Sequence, residues 1–127
     1  MENLKLRTKD NLVFQMSYDF ALQTIELYKS LCEDKKEYVL SKQLLRAGTS
    51  IGANVNEAQA GISKKDFVAK MSIASKEARE TKYWLSLLVD SGYISKEDRS
   101  VSDLFGKIES IINILTKIVK TGASHGK

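Results

Sequence analysis

Proline is missing altogether from this 127-residue chain, and cysteine and histidine occur once each. Without proline, nothing fixes φ or removes a backbone donor inside a long periodic segment, so regular structure must be ended by caps and charges instead. A single thiol, Cys32, cannot close an intramolecular disulfide, and a chain without paired thiols suits a reducing compartment, here the cytoplasm. The one histidine, His125, lies in the terminal stretch TGASHGK, so metal sites built from Cys and His have no ligand set and a Ser-His-Asp or Cys-His catalytic unit lacks its base. No run of 18 uncharged apolar residues is present for a membrane span, and the opening MENLKLRTKD is too polar for a signal-peptide core. The reading is a protein neither exported nor inserted in a membrane.

What is present is a chain that is 43% hydrophobic and 28% charged, the mix of one soluble domain with its own core, taken as a single unit over 1–127. Helical periodicity predicts four helices, at about 10–31, 35–60, 64–90 and 96–121, with a flexible tail over 122–127. The first has two apolar stripes, Met16, Phe20, Leu27 and Leu31 on one and Phe14, Tyr18, Ala21, Ile25 and Tyr28 on the other. Two stripes imply two buried faces.

Asp34 and Glu37 are spaced as a capping box and predict the start of the second helix. Its stripe, Ser41, Leu44, Gly48, Ile51, Val55, Ala58 and Ile62, is the least apolar of the four. Glycine within a helix costs about 1 kcal/mol relative to alanine, so Gly48 and Gly52 imply the close approach of another backbone. Gly61 suits a left-handed C-cap, and Ser63–Asp66 predicts the cap of the third helix, with Phe67, Met71, Ala74, Ala78, Thr81, Leu85 and Leu88 inward and Gly92 at its end. Ser95–Asp98 predicts a further box, and the fourth helix carries Val101, Leu104, Ile108, Ile111, Leu115 and Ile118 up to Gly122. Ile112, Ile114 and Val119 add apolar width that one seam does not require. Such segments joined by short turns fold most simply as an all-α, antiparallel up-down-up-down four-helix bundle, and their heptad spacing predicts left-handed packing.

Antiparallel register about a turn near residue 62 brings Arg46 level with Glu77, one turn from Glu80, and Glu57 near Lys70. These charges read as register-setting interhelical pairs. A small enzyme using Glu57 or Glu77 would need an enclosed pocket, which nothing in the sequence marks. No catalytic, cofactor-binding or metal-binding residue is assigned. The stretch GTSIGAN has two glycines but neither a preceding strand nor a following Lys-Ser/Thr, so it is a poor phosphate loop.

Twenty basic against sixteen acidic residues leave +4, a modest leaning toward polyanions. Lys64, Lys65, Lys70, Lys76, Arg79 and Lys82 crowd the third helix, opposed by Asp66, Glu77, Glu80 and Asp90, and Lys42 adds a charge on the second. These seven cations are the candidates for phosphate contact, with Tyr83 and Trp84 as possible stacking surfaces, although charges so mixed also describe an ordinary solvated face.

The runs SKQLLRAGTSIGANVNEAQAG and KDFVAKMSIASKEARETKYWLSLLVDSGYI closely resemble the bacterial four-helix-bundle family encoded in intervening sequences of 23S ribosomal RNA genes. The likeness covers nearly the whole chain and is strongest at Gln43, Arg46, Ser50, Ile51, Ala53, Asn54, Glu57, Ala58, Phe67, Ala74, Glu77, Glu80 and Leu85. Many members carry Phe-Pro before the second helix, where this chain has Cys-Glu-Asp-Lys-Lys.

The resemblance implies a homopentameric ring similar to the accessory protein of diversity-generating retroelements, which associates with a reverse transcriptase and nucleic acid. It transfers no enzymatic residue; Gln43, Arg46, Ser50, Asn54, Glu57, Glu77 and Glu80 look like a structural polar network. The expected function is therefore a non-enzymatic homo-oligomer binding RNA or DNA, or a nucleic-acid-processing protein, through a basic exterior. The alternative is a protein-interaction scaffold without nucleic-acid affinity. The apolar surplus of the first and fourth helices independently favours association between copies.

Overall fold

The computed structural model describes the backbone of residues 8–125 and the side chains of residues 11–123. Among these residues the protein is all-α, with α1 Thr8–Lys35, α2 Leu40–Gln59, α3 Lys64–Asp90 and α4 Arg99–His125. Helices α1 and α2, α2 and α3, α3 and α4, and α4 and α1 pack together, while diagonal pairs do not. The helices thus enclose one core, into which Phe20, Leu44, Ile51, Met71, Leu85, Ile108 and Leu115 are fully buried.

The inward stripes of the last three helices match the periodicity closely, with two amendments. Phe67 is only partly buried, and Ile62 lies in the α2–α3 turn and is 97% exposed. In α1 the central stripe is Val13, Ser17, Phe20, Thr24 and Leu31, whereas Met16 and Leu27 are partly buried at its edge. Two hydroxyls enter the core because each donates to its own helix: Ser17 Oγ to the Val13 carbonyl at 2.7 Å and Thr24 Oγ1 to that of Phe20 at 2.9 Å. They face the α2 glycines. A Cβ on Gly48 would stand 2.9 Å from Thr24 Cγ2, so its missing side chain makes room for α1, whereas one on Gly52 would stand 3.5 Å from Ser17 Cβ, an ordinary contact distance.

Several boundaries differ from expectation. Asp34 does not cap α2, because α1 continues to Lys35 and closes through Lys36 at φ 56, with the Glu37 amide donating to the Leu31 carbonyl at 3.0 Å. Glu37 alone then caps α2. Its carboxylate accepts from the amides of Val39, Leu40 and Ser41 at 3.2, 3.0 and 2.7 Å, and the Ser41 hydroxyl donates back to its carbonyl.

The expected start of α3 is met, with Ser63 Oγ accepting from the Asp66 amide at 3.1 Å. Gly61 has no left-handed φ; that conformation occurs at Gly92, where Tyr93 and Gly92 donate to the Leu88 and Val89 carbonyls and close α3. Helix α4 starts later than expected, because Asp98 rather than Ser95 accepts from the Ser100 amide and hydroxyl. It also ends later. Gly122 does not stop it but is buried against α3, where a Cβ would meet Val68 Cγ2 at 2.7 Å. The proposed tail is therefore helical through His125, whose side chain, with residues 126–127, lies outside the described residues.

Candidate nucleic-acid interface

Gln43, Arg46, Glu77 and Glu80 meet on the seam between α2 and α3. Arg46 reaches Glu77 at 3.4 Å through Nη1 and Glu80 through Nη2, while its Nε donates to Gln43 Oε1 at 3.3 Å. Glu80 also accepts from Trp84 Nε1 at 3.0 Å, and the Trp84 ring meets Tyr83 edge-on at 5.1 Å between centroids. Farther along, Glu57 pairs with Lys70 at 2.9 Å. Ser50 and Asn54 serve their own helix, donating to the carbonyls of Arg46 and Ser50. Exposed pairs of this kind contribute at most about 1 kcal/mol each and mainly fix which residues face one another.

Glu57 and Glu77, the carboxylates considered for acid–base work, both face cations, and Glu57 is exposed. Among the described residues no three His, Cys, Asp or Glu side chains converge as metal ligands. No described helix is long and apolar enough to cross a membrane.

The seven candidate cations do not share one face. Lys70 points toward α2 through Glu57, whereas Lys82 pairs with Glu109 and Arg79 donates to Thr116 Oγ1 at 3.0 Å, both on α4. Lys42, Lys64, Lys65 and Lys76 are exposed and make no ion pair among the described residues. Lys117 and Lys120 on α4 share that condition. Neither is among the seven sequence candidates, which lie on α2 and α3.

Among the described residues, clefts lie between α1 and α4 and between α1 and the α3–α4 connection. One, of about 520 Å³, has Leu27, Tyr93, Ile94, Val101 and Leu104 among its walls; the other, of about 460 Å³, includes Met16, Asp19, Gly106 and Ser110. Gln23 bridges the helices, donating to Asp103 Oδ2 at 3.0 Å and accepting from Lys107. The Gln23 amide, followed by the Lys107 ammonium, holds the Asp103 carboxyl below the usual carboxylate range.

Outside the core, Leu12, Tyr18 and Leu22 of α1 are each about half exposed, and the adjoining Phe14 ring lies 6.1 Å from that of Tyr18. The second stripe expected for α1 is thus only partly covered: Phe14, Ala21, Ile25 and Tyr28 are half-buried and Tyr18 is exposed.

Four long helices around one core, with polar pairs between neighbouring helices, define a small all-α four-helix protein. The model of the 23S rRNA-intervening sequence protein family matches residues 9–117, and the chain belongs to that family. It is similar to a crystal structure of a protein of unknown function from the S23 ribosomal protein family of Bacteroides thetaiotaomicron, at 46% identity. The match covers 88% of this chain and 98% of that one, with a TM-score of 0.84. No functionally curated protein matches the sequence.

Proposed function

We propose that this family member is a non-enzymatic, cytoplasmic homo-oligomer, an antiparallel up-down-up-down bundle with left-handed packing, that binds RNA or a nucleic-acid-associated protein through its basic exterior. The observation that carries the binding reading is that Lys42, Lys64, Lys65 and Lys76 are exposed without carboxylate partners among the described residues, on a chain of net charge +4. Cations already neutralised have little left to offer a phosphate; unpaired ones release its counterions.

Association is supported by the half-exposed apolar side chains of α1, which a neighbouring copy would remove from water. The resemblance favours five copies. Repetition of a cationic surface then lets weak phosphate contacts act together. The antiparallel reading is supported by the pairs Arg46 with Glu77 and Glu57 with Lys70, in which rising numbers on α2 meet falling numbers on α3.

Titration of a labelled single-stranded RNA at increasing salt tests the binding. Affinity at low salt that falls steeply as salt rises is the expected result; no affinity at low salt would overturn it. The scattering of Lys70, Arg79 and Lys82 among different neighbours favours a second reading, a protein-interaction scaffold without nucleic-acid affinity. In that case partners captured from extract would survive nuclease treatment.

A further inference from the structure

Net charge differs between the two ends of the bundle. At one end lies the short turn between Gln59 of α2 and Lys64 of α3. The end of α4 comes to the same place, because Gly122 rests on Val68, one turn into α3. Residues 60–66 and 117–123 therefore share this end, and in them four cations, Lys64, Lys65, Lys117 and Lys120, face a single carboxylate, Asp66. All four are exposed, and none has an ion pair among the described residues. Residues 33–42 and 90–99, which hold the α1–α2 and α3–α4 connections, carry six carboxylates against five cations. Among these described segments the α2–α3 end is thus the basic one, and the opposite end is close to balanced.

Ile62 stands at the tip of the basic end, 97% exposed and more exposed than any other large apolar side chain described. One apolar side chain amid four lysines offers too little buried area to hold a lipid surface by itself. It does suit a nucleic acid, whose backbone meets the ammonium groups while the side chain lies against a base or sugar.

We infer that the α2–α3 end of the bundle, with Lys64, Lys65, Lys117 and Lys120 around Ile62, is the surface that engages the phosphate backbone of RNA. This rests on the proposed nucleic-acid binding and gives it a location: an end of the bundle, not the length of α3. Lysines on two helices span more than one phosphate, so the contact reads charge and backbone spacing in preference to base identity.

The test compares two variants that lose equal charge, Lys65→Ala/Lys120→Ala at the end and Lys42→Ala/Lys76→Ala away from it, each checked for unchanged helicity. The probe is a fluorescently labelled, unstructured RNA of about 20 nucleotides, a length chosen to give several phosphate contacts. The end pair is expected to weaken binding about tenfold and flatten the salt dependence, against less than about twofold for the other pair. Ile62→Ser should weaken binding severalfold without changing the salt slope, since it removes no charge.

Equal losses in the two double variants would overturn the location while leaving RNA binding intact. An absence of RNA binding by the unaltered protein would overturn the underlying reading as well. End-dependent binding to phosphatidylserine vesicles, with RNA affinity indifferent to the same substitutions, would overturn the choice of ligand.

Discussion

Glu37 is a carboxylate whose position is explained by backbone donors. Burial pushes its pKa upward, but the amides of Leu40, Ser41 and Val39 together outweigh burial, leaving it below the ordinary value of 4.5. A group whose folded value is depressed lends stability that is present above its unfolded value and lost as pH falls through the folded value. Urea unfolding should therefore show stability declining as the solution is acidified below about pH 4.5, and Glu37→Gln should flatten that part of the decline. An unchanged profile in the variant would show that the cap contributes no pH dependence. At neutral pH the same variant should lose about 1–2 kcal/mol, as for other lost caps.

The glycines separate in the same way, by what surrounds them. Gly48→Ala gains helix propensity of about 1 kcal/mol, yet the new Cβ meets Thr24 Cγ2 at 2.9 Å, and Thr24 is held by its bond to Phe20. The net effect should be destabilising by about 1–2 kcal/mol, with Thr24→Ser restoring part of the loss because it removes the obstructing methyl. Gly106 has nothing within 4 Å of its would-be Cβ, so Gly106→Ala should stabilise by about 0.5–1 kcal/mol. Denaturant midpoints of these variants check both signs. A stabilised Gly48→Ala would mean that the α1–α2 contact yields more readily than its geometry implies.

Among the elements, α3 was readable from both ends because Ser63 and Gly92 act where their chemistry suggests. The α1–α2 junction was not. Its left-handed residue is Lys36, a type that gives no such signal, and Glu37 serves as an acceptor for the amides ahead of it instead of completing a box with Asp34. Left-handed backbone costs an L-residue roughly 1 kcal/mol, so Lys36→Gly should raise stability by about that amount, measured by the same unfolding midpoints. No gain would show that the Lys36 conformation carries little strain.

The α1 core stripe was obscured for a related reason. Ser17 and Thr24 look like surface residues in sequence, and their inward position becomes intelligible only with the helix carbonyls that accept from them and the glycines opposite. Gly122 was misread by the same logic. It reads as a helix terminator until Val68 is seen to occupy the space of its missing side chain.

At the scale of the whole molecule, the helical class and the α2–α3 charge pairs were legible because they depend on spacing within two consecutive segments. The distribution of cations over the surface depends on which ends meet, and this is knowledge the fold supplies. Spacing did not reveal that Lys117 and Lys120 share an end with Lys64 and Lys65.

The central claim is that the apolar surface left on α1 is covered by another copy, and that assembly multiplies the basic surface of each chain. Tyr18→Glu, replacing an exposed aromatic with a charge, should leave the helical content unchanged and loosen assembly. The most direct measurement is the solution mass by sedimentation equilibrium at micromolar concentration. The account predicts a discrete particle of several chains, five being favoured, each of 14.2 kDa. A folded, stable particle holding a single 14.2 kDa chain across the concentration range would contradict it.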